Sequence, residues 1–262
     1  MKILTTDTIK NDLLKELVTK DIKSTLHILS KDLTDEGIAY KNFIAKRCKE
    51  FDINYKEKNF DNFTNNQDIV AYTDSFNSDD SFIILLPFGN DKELDYLREN
   101  IKLKDIDGFT YKSMGKTMEA KEKYLPATPR AIIKFLDFLD IDIQGKNIVI
   151  ANSTNLIGMP LANYFTKKRA YTSLLNSSYP NPKKIIREAD IFISAIGKAN
   201  YFNKDYFKDG QLLIDVGTSM VNGKIVGDIN YKDLEKLDLE VLTSKKGIGA
   251  ITTLTLLKSL ID

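Results

Sequence analysis

From Gly145 to Thr218 the chain alternates short apolar runs with amphipathic stretches, and this rhythm limits its fold more than any other feature. "KNIVIANST", "AYTSLLNSS", "DIFISAIG" and "QLLIDVGT" read as strands, and "GMPLANYFTKK" and "NPKKIIREA" between them as helices. Strands this continuously apolar belong in a sheet covered on both faces. Alternation of the two types demands right-handed crossovers and hence a parallel sheet. A Rossmann-like α/β domain is therefore expected at 140–242. Upstream, "TLHIL", "INYKE" and "SFIILLPF" read as strands, with helices over 5–21, 35–51 and 90–100, a weaker one over 65–77, and a turn-rich link near 103–113. These form an N-terminal α/β domain, residues 1–139, whose last helix is expected to start after Pro129. The apolar helix "GIGAITTLTLLKSLI" is expected to return to this first domain, so that 243–262 completes it.

Charge excludes several partners. Lys and Arg number 38 against 37 Asp and Glu, a net charge of +1, so neither nucleic acid nor an anionic membrane is called for. The longest apolar runs are too short to span a bilayer, and "MKILTTDTIKNDLL" does not read as a signal peptide, which points to the cytoplasm. Cys48 is the only cysteine, so no internal disulfide can form. His27, the only histidine, sits in the strand "STLHILS" and reads as structural; no metal site built on cysteine and histidine is expected.

Four stretches could carry chemistry. "NSTNLIGMP" (152–160) joins a strand to a helix, a place suited to phosphate, though it carries a single glycine, Gly158, and reads equally as a plain turn. In "DIDGF" (105–109), Asp107 is either a turn residue before Gly108 or a partner for a polar heterocycle. "KKGIGA" (245–250) is either a flexible loop or one whose N–H groups line a pocket. The helix "GIAYKNFIAKRCKEF" puts Tyr40, Phe43, Ile44, Cys48 and Phe51 on one stripe. Its lysines nearest to Tyr40, Lys41 and Lys46, point away from that residue; the position one turn on is Ile44.

Taken in order, Tyr40, the Leu-Pro after the third strand, "DIDGF", "PATP", "NST…IGMP", "ADIFISAIGKA", "IDVGT", "VGDI" and "GIGAIT" resemble the bifunctional methylenetetrahydrofolate dehydrogenase / methenyltetrahydrofolate cyclohydrolase family, from about residue 5 to 261. The resemblance implies an N-terminal catalytic domain, a C-terminal domain that binds NADP or NAD, a folate cleft between them and a homodimer. It implies that Tyr40 stacks on the aminobenzoyl ring of a tetrahydrofolate derivative, that Asp107 hydrogen-bonds the pterin, that Pro87 shapes the cleft, and that Gly247 and Gly249 border the substrate. It assigns the nucleotide to Asn152, Ser153, Thr154, Ser177 and Thr218.

This chain departs from the family at telling places. The family's catalytic lysine falls on Ile44, and the glutamine that contacts it falls on Leu85. Its Gly-Arg-Ser is Asn152-Ser153-Thr154, which removes the arginine for a 2′-phosphate; its Cys-His-Ser is Leu175-Asn176-Ser177. Its Gly-Gly-Val-Gly-Pro loop is Lys246-Gly247-Ile248-Gly249-Ala250, expected to be less rigid without proline. Three readings follow. In the first, the dehydrogenase survives while the cyclohydrolase is weakened or lost. In the second, the chain is a non-catalytic binder of folate or of a partner. In the third, Lys245 or Lys246 replaces the lost lysine, against a default in which both face water.

Overall fold

A computed structural model of the chain describes residues 1–261. Its first elements are β1 (Lys2–Leu4), α1 (Asp7–Val18), β2 (Leu26–Lys31), α2 (Asp35–Glu50), β3 (Tyr55–Phe60), α3 (Asn66–Asp74) and β4 (Ser81–Ile84). Next come α4 (Asp91–Asn100), β5 (Lys104–Asp105), α5 (Tyr111–Thr117), α6 (Ala127–Phe138), β6 (Asn147–Ala151), α7 (Gly158–Lys167), β7 (Tyr171–Leu175) and α8 (Pro182–Glu188). The last are β8 (Ile191–Ser194), β9 (Leu212–Asp215), β10 (Ser219–Val221), β11 (Lys224–Val226), β12 (Glu240–Leu242) and α9 (Gly249–Lys258).

The elements fall into two compact units, residues 1–12 with 128–252, and residues 13–127 with 253 onward. This differs from the division expected at 139/140 and 242/243. Residues 1–12 join the six-stranded unit because β1 pairs in parallel with β12 through Lys2↔Glu240 and Leu4↔Leu242. A three-residue strand carries no periodicity that would reveal its partner.

The six-stranded unit holds a parallel sheet in the order β1-β12-β9-β8-β6-β7. The strands read as apolar runs because both faces are covered: Val149, Phe192, Leu213 and Val241 pack with Ile186 and Phe207 in one core, and on the opposite face Ile148, Ile150, Ile193 and Ile214 are buried as well. The chain leaves β6 for β7 on one side and returns to β8 on the other, so its direction reverses between β6 and β8. In open parallel sheets, ligands bind outside the carboxyl ends of the strands at that reversal. A small hairpin, β10–β11, was not expected from the sequence, although its Asn222-Gly223 turn, with φ of +51° and +74°, is a strong hairpin signal.

The four-stranded unit has the parallel order β3-β2-β4-β5 and reverses in the same way between β2 and β4. Leu29, Ile69, Phe82, Leu97 and Phe109 fill a core on one side of the sheet. In α2, Thr34 caps the first turn by accepting from the Gly37 N–H. The buried residues of α2 are Ile44, Ala45, Arg47 and Cys48, while Tyr40, Phe43 and Phe51 are half-buried. Strand β4 ends at Ile84, earlier than "SFIILLPF" suggested, and the Leu86–Pro87 peptide just beyond it is cis. The link expected near 103–113 contains the start of α5, whose cap is Thr110. α6 starts at Ala127, two residues before Pro129, and its first turn accommodates the proline.

His27 lies on β2 with Nε2 3.1 Å from Asp80 Oδ2 and its ring stacked on Phe76 at 3.5 Å. Burial lowers its pKa against the opposing pull of Asp80. Among the described residues no helix is long and apolar enough to cross a membrane, and no group of three or more His, Cys, Asp or Glu could hold a metal ion.

Candidate active site

In the four-stranded unit the reversal lies between β2 and β4, and the sequence places Tyr40 in the helix after one strand and Leu85–Pro87 directly after the other. Tyr40 is half-buried. Burial first, and then the Asp107 carboxylate, push its phenol pKa well above the ordinary tyrosine value, with the Thr253 hydroxyl opposing them. Tyr40 and Asp107 thus share one electrostatic neighbourhood, and the phenol keeps its proton across the neutral range. Asp107 Oδ1 accepts from the Ala127 N–H at 2.8 Å, which aims the carboxylate.

The turn role considered for Asp107 belongs instead to Asp105. Its Oδ1 accepts from the N–H groups of Asp107 (3.1 Å) and Gly108 (2.9 Å), and its Oδ2 from the Thr110 N–H (2.7 Å) and hydroxyl (3.0 Å). Gly108, at φ +77°, completes the turn. One carboxylate of "DIDGF" therefore builds the loop that presents the other.

Ile44 is 0% exposed and Leu85 6%. The lysines of α2 do not compensate: Lys41 Nζ pairs with Glu57 Oε2 at 3.2 Å, and Lys46 and Lys49 are exposed. Pro87 is also exposed. Cys48 is buried and free, its thiol pushed up to about 12 by burial and by Glu57, so it offers no thiolate.

In the six-stranded unit the reversal lies between β6 and β8. The turn after β6 is built by Asn152. Its Oδ1 accepts from the Thr154 N–H (2.9 Å), the Thr154 hydroxyl (2.8 Å) and the Gly158 N–H (3.0 Å), and its Nδ2 donates to the Ala195 carbonyl (2.7 Å). Asn152, expected to touch the nucleotide, thus commits its side chain to the protein. The turn sits so close to α7 that a Cβ on Gly158 would lie 2.0 Å from the Asn152 carbonyl oxygen, hence the single glycine of "NSTNLIGMP". Ser153 and Thr154 are exposed, as are Ser177 after β7 and Thr218 after β9. Asn176 Oδ1 accepts from the Ser178 N–H (3.0 Å) and hydroxyl (2.7 Å), closing a neutral turn at the end of β7.

Gly247 is buried; a Cβ there would meet the Thr243 carbonyl oxygen at 2.1 Å, whereas at Gly249 it would meet nothing within 4 Å. The loop around them is better anchored than its lack of proline suggested. The Thr6 hydroxyl reaches the carbonyls of Lys246 and Gly247, both at 3.0 Å, and the Thr6 N–H donates to Lys246 at 3.2 Å. Lys246 Nζ lies 3.5 Å from Asp7 Oδ2, and Lys245 is exposed.

The sequence reading passed over Asp215 and Asp228, both fully buried at the carboxyl side of the sheet. Each ends an apolar run in a quoted motif, "IDVGT" and "VGDI", and a carboxylate at the end of a buried strand was the available signal. A dinucleotide fits this end of the sheet: the strands are parallel and reverse here, and at Gly197, φ +65°, a Cβ would meet nothing nearer than the Thr218 carbonyl oxygen at 3.9 Å.

Known proteins agree with this architecture. Residues 126–262 match the family model described as tetrahydrofolate dehydrogenase/cyclohydrolase, NAD(P)-binding domain. The bifunctional protein FolD of Clostridium novyi is 35% identical over 221 residues, covering 83% of this chain and 80% of that protein. The FolD of Clostridium perfringens strain SM101 is 31% identical over 269 residues, covering 98% and 97%. The crystal structure of the bifunctional FolD methylenetetrahydrofolate dehydrogenase/cyclohydrolase from Campylobacter jejuni superposes with a TM-score of 0.89 at 26% identity, covering 100% of this chain and 97% of that one. The chain belongs to the tetrahydrofolate dehydrogenase/cyclohydrolase family of NAD(P)-dependent enzymes.

Proposed function

We propose that this chain oxidises 5,10-methylenetetrahydrofolate to the 5,10-methenyl form with NAD(P), and that its cyclohydrolase step to 10-formyltetrahydrofolate is weakened or lost. The observation that carries the reading is the pair Ile44 and Leu85: both are buried and apolar where the family resemblance expects a lysine and its glutamine partner. Losing both together avoids leaving one buried polar group unpaired, a penalty of about 1–3 kcal/mol and more for a charge.

The two steps ask different things of the protein. In the first, a C–H bond of the methylene carbon breaks and its electron pair leaves as hydride, so the folate becomes the methenyl cation. When bound, the nucleotide supplies the acceptor for that hydride. Orientation is the main requirement. Tyr40 offers an aromatic face and a retained proton, Asp107 an aimed carboxylate for the pterin, and Pro87 a rigid wall. The second step needs a group that handles the proton of an attacking water. Neither Ile44 nor Leu85 can, and Tyr40 is held in its protonated form.

On the nucleotide side, Ser153, Thr154, Ser177 and Thr218 supply neutral contacts, and Asn152 shapes the turn. With no cation among these positions, a 2′-phosphate gains no partner from them, which supports NAD over NADP. The family resemblance further supports a cytoplasmic homodimer. The boundaries at which each activity resides remain those of the resemblance: folate on residues 1–139 with 243–262, nucleotide on 140–242.

A spectroscopic assay with methylenetetrahydrofolate and either nucleotide tests the reading. The expected result is methenyl product that accumulates and decays slowly. Normal methenyl hydrolysis would reject the role given to Ile44 and Leu85. Folate binding with no turnover on either nucleotide would favour the non-catalytic reading, which the committed side chain of Asn152 supports.

A further inference from the structure

Two buried carboxylates at the carboxyl side of the six-stranded sheet have no task in the reaction as described. Ala151, Ser194 and Asp215 lie in register across β6, β8 and β9, so Asp215 stands at the level where the loops of the reversal begin. Asp228 Oδ2 accepts from the Ser194 hydroxyl at 2.6 Å and the Ile196 N–H at 2.8 Å, and its Oδ1 from the Lys198 N–H at 2.8 Å. Asp215 in turn holds the backbone of Asp228: its Oδ1 accepts from the Asp228 N–H and its Oδ2 from the Ile229 N–H, both at 3.1 Å, and Oδ2 also accepts from the Tyr231 hydroxyl. The Tyr231 oxygen accepts from the Ser244 N–H at 3.1 Å.

We propose that Asp228 is a positioning residue for the nicotinamide nucleotide: through Ser194, Ile196 and Lys198 it sets the shape of the loop after β8, and Asp215 with Tyr231 sets Asp228. The inference rests on the dehydrogenase reading above.

Three features favour positioning over mere burial. First, the loop is gripped from both sides of the strand reversal, by Asp228 and by Asn152 Nδ2 on the Ala195 carbonyl at 2.7 Å. Its apex, Gly197, is exposed and open. Second, the carboxylates are themselves confined. A Cβ on Gly217 would lie 2.1 Å from Asp228 Cγ, and one on Gly227 would lie 2.0 Å from Asp215 Oδ2. Third, only a carboxylate satisfies this set of donors. An amide has one acceptor oxygen, and its NH₂ would face a backbone N–H. Burying a carboxylate is costly, and apolar packing would hold a loop that needed only stability.

The test compares wild type with Ser194→Ala, Ser194→Thr and Asp228→Asn. Calorimetry with NAD and with NADP, and steady-state kinetics varying each substrate, are the readouts. Ser194→Ala should raise the nucleotide Kd and KM roughly 3–10-fold, because the lost hydrogen bond lies within the protein and the bound nucleotide feels only part of it. Asp228→Asn should raise them at least tenfold. The folate KM should stay within about twofold in both, and Ser194→Thr, which keeps the hydroxyl, should restore wild-type nucleotide binding. If Asp228→Asn does not fold, the two Ser194 variants decide. Variants that melt earlier yet bind nucleotide like wild type would overturn the proposal, as would an effect spread equally over the folate KM. A wild type that binds no nucleotide would sink the dehydrogenase reading and this inference with it; a competent wild type with indifferent variants would sink this inference alone.

Discussion

At one place in each, the two units treat buried polar chemistry in opposite ways. In the six-stranded unit Asp215, Asp228 and Gln211 are all but fully buried, and each is held by hydrogen bonds: Gln211, for example, donates to the carbonyls of Ile186 and Ala189 at 2.7 and 2.9 Å. In the four-stranded unit the two positions where the family resemblance expects a polar pair hold Ile44 and Leu85. The difference shows two stable ends of one rule. A buried polar group is kept with its full set of partners or removed together with them; the half-satisfied state between is the costly one.

Putting a charge back on the apolar side should have the largest effect. Ile44→Lys buries an ammonium in a site 0% exposed and should cost about 3–5 kcal/mol, read as a fall in denaturation midpoint. Adding Leu85→Gln should recover part of that loss. A double-mutant cycle with coupling below about 0.5 kcal/mol would show that the two positions are not partners, and would break the comparison.

Acid and base should then separate the units. Burial, ahead of its hydrogen bonds, raises the Asp215 pKa from 3.8 to about 6. The folded state therefore holds this proton more tightly. The stability it contributes is complete below pH 3.8 and is lost as pH rises through about 6, by up to about 3 kcal/mol. His27 acts with the opposite sign: its pKa is lowered from 6.5, so its contribution is present above pH 6.5 and is lost as pH falls below that value. Hydrogen exchange corrected for intrinsic rates should show protection on β9 and β12 rising, and on β2 falling, between pH 7 and 5. Asp215→Asn should flatten the first response and leave the second.

Asn152→Ala removes the acceptor of the Gly158 N–H and the donor to Ala195. It should cost roughly 2 kcal/mol and weaken nucleotide binding, with folate binding unchanged by calorimetry. The smallest effect belongs to Tyr40→Phe. The aromatic face stays and one hydroxyl goes, so the folate KM should rise a few-fold with little change in melting temperature; a loss of all folate binding would mean that the hydroxyl, and not the ring, carries recognition.

Much of this was legible along the chain. The apolar runs of β6, β8 and β9 and the amphipathic α7 announce a covered parallel sheet, since covering both faces leaves no polar alternation. Ile44 and Leu85 could be named only through the family resemblance, which implies a lysine one turn after Tyr40 and a glutamine before Leu86-Pro87. Other features were silent for physical reasons. β1 and β12 are three residues each and acquire identity only by pairing, β1 with β12 and β12 also with β9. The Thr6 contact with the 246–247 carbonyls spans almost the whole chain. "DIDGF" offers two carboxylates with no local cue to which builds the turn, and donor geometry alone assigned Asp105 to it.

Sequence by itself determined the layered α/β character and left a single cysteine and a single histidine, too few for a Cys/His metal centre, because these depend on composition and on periods of two to four residues. The tertiary structure decided which segment joins which sheet, that Asn152 shapes a turn, and that Asp215 and Asp228 are saturated in the interior. Those outcomes depend on donors and acceptors brought together from distant parts of the chain, and a hydrogen bond is set by distance and angle in space, which residue order does not encode.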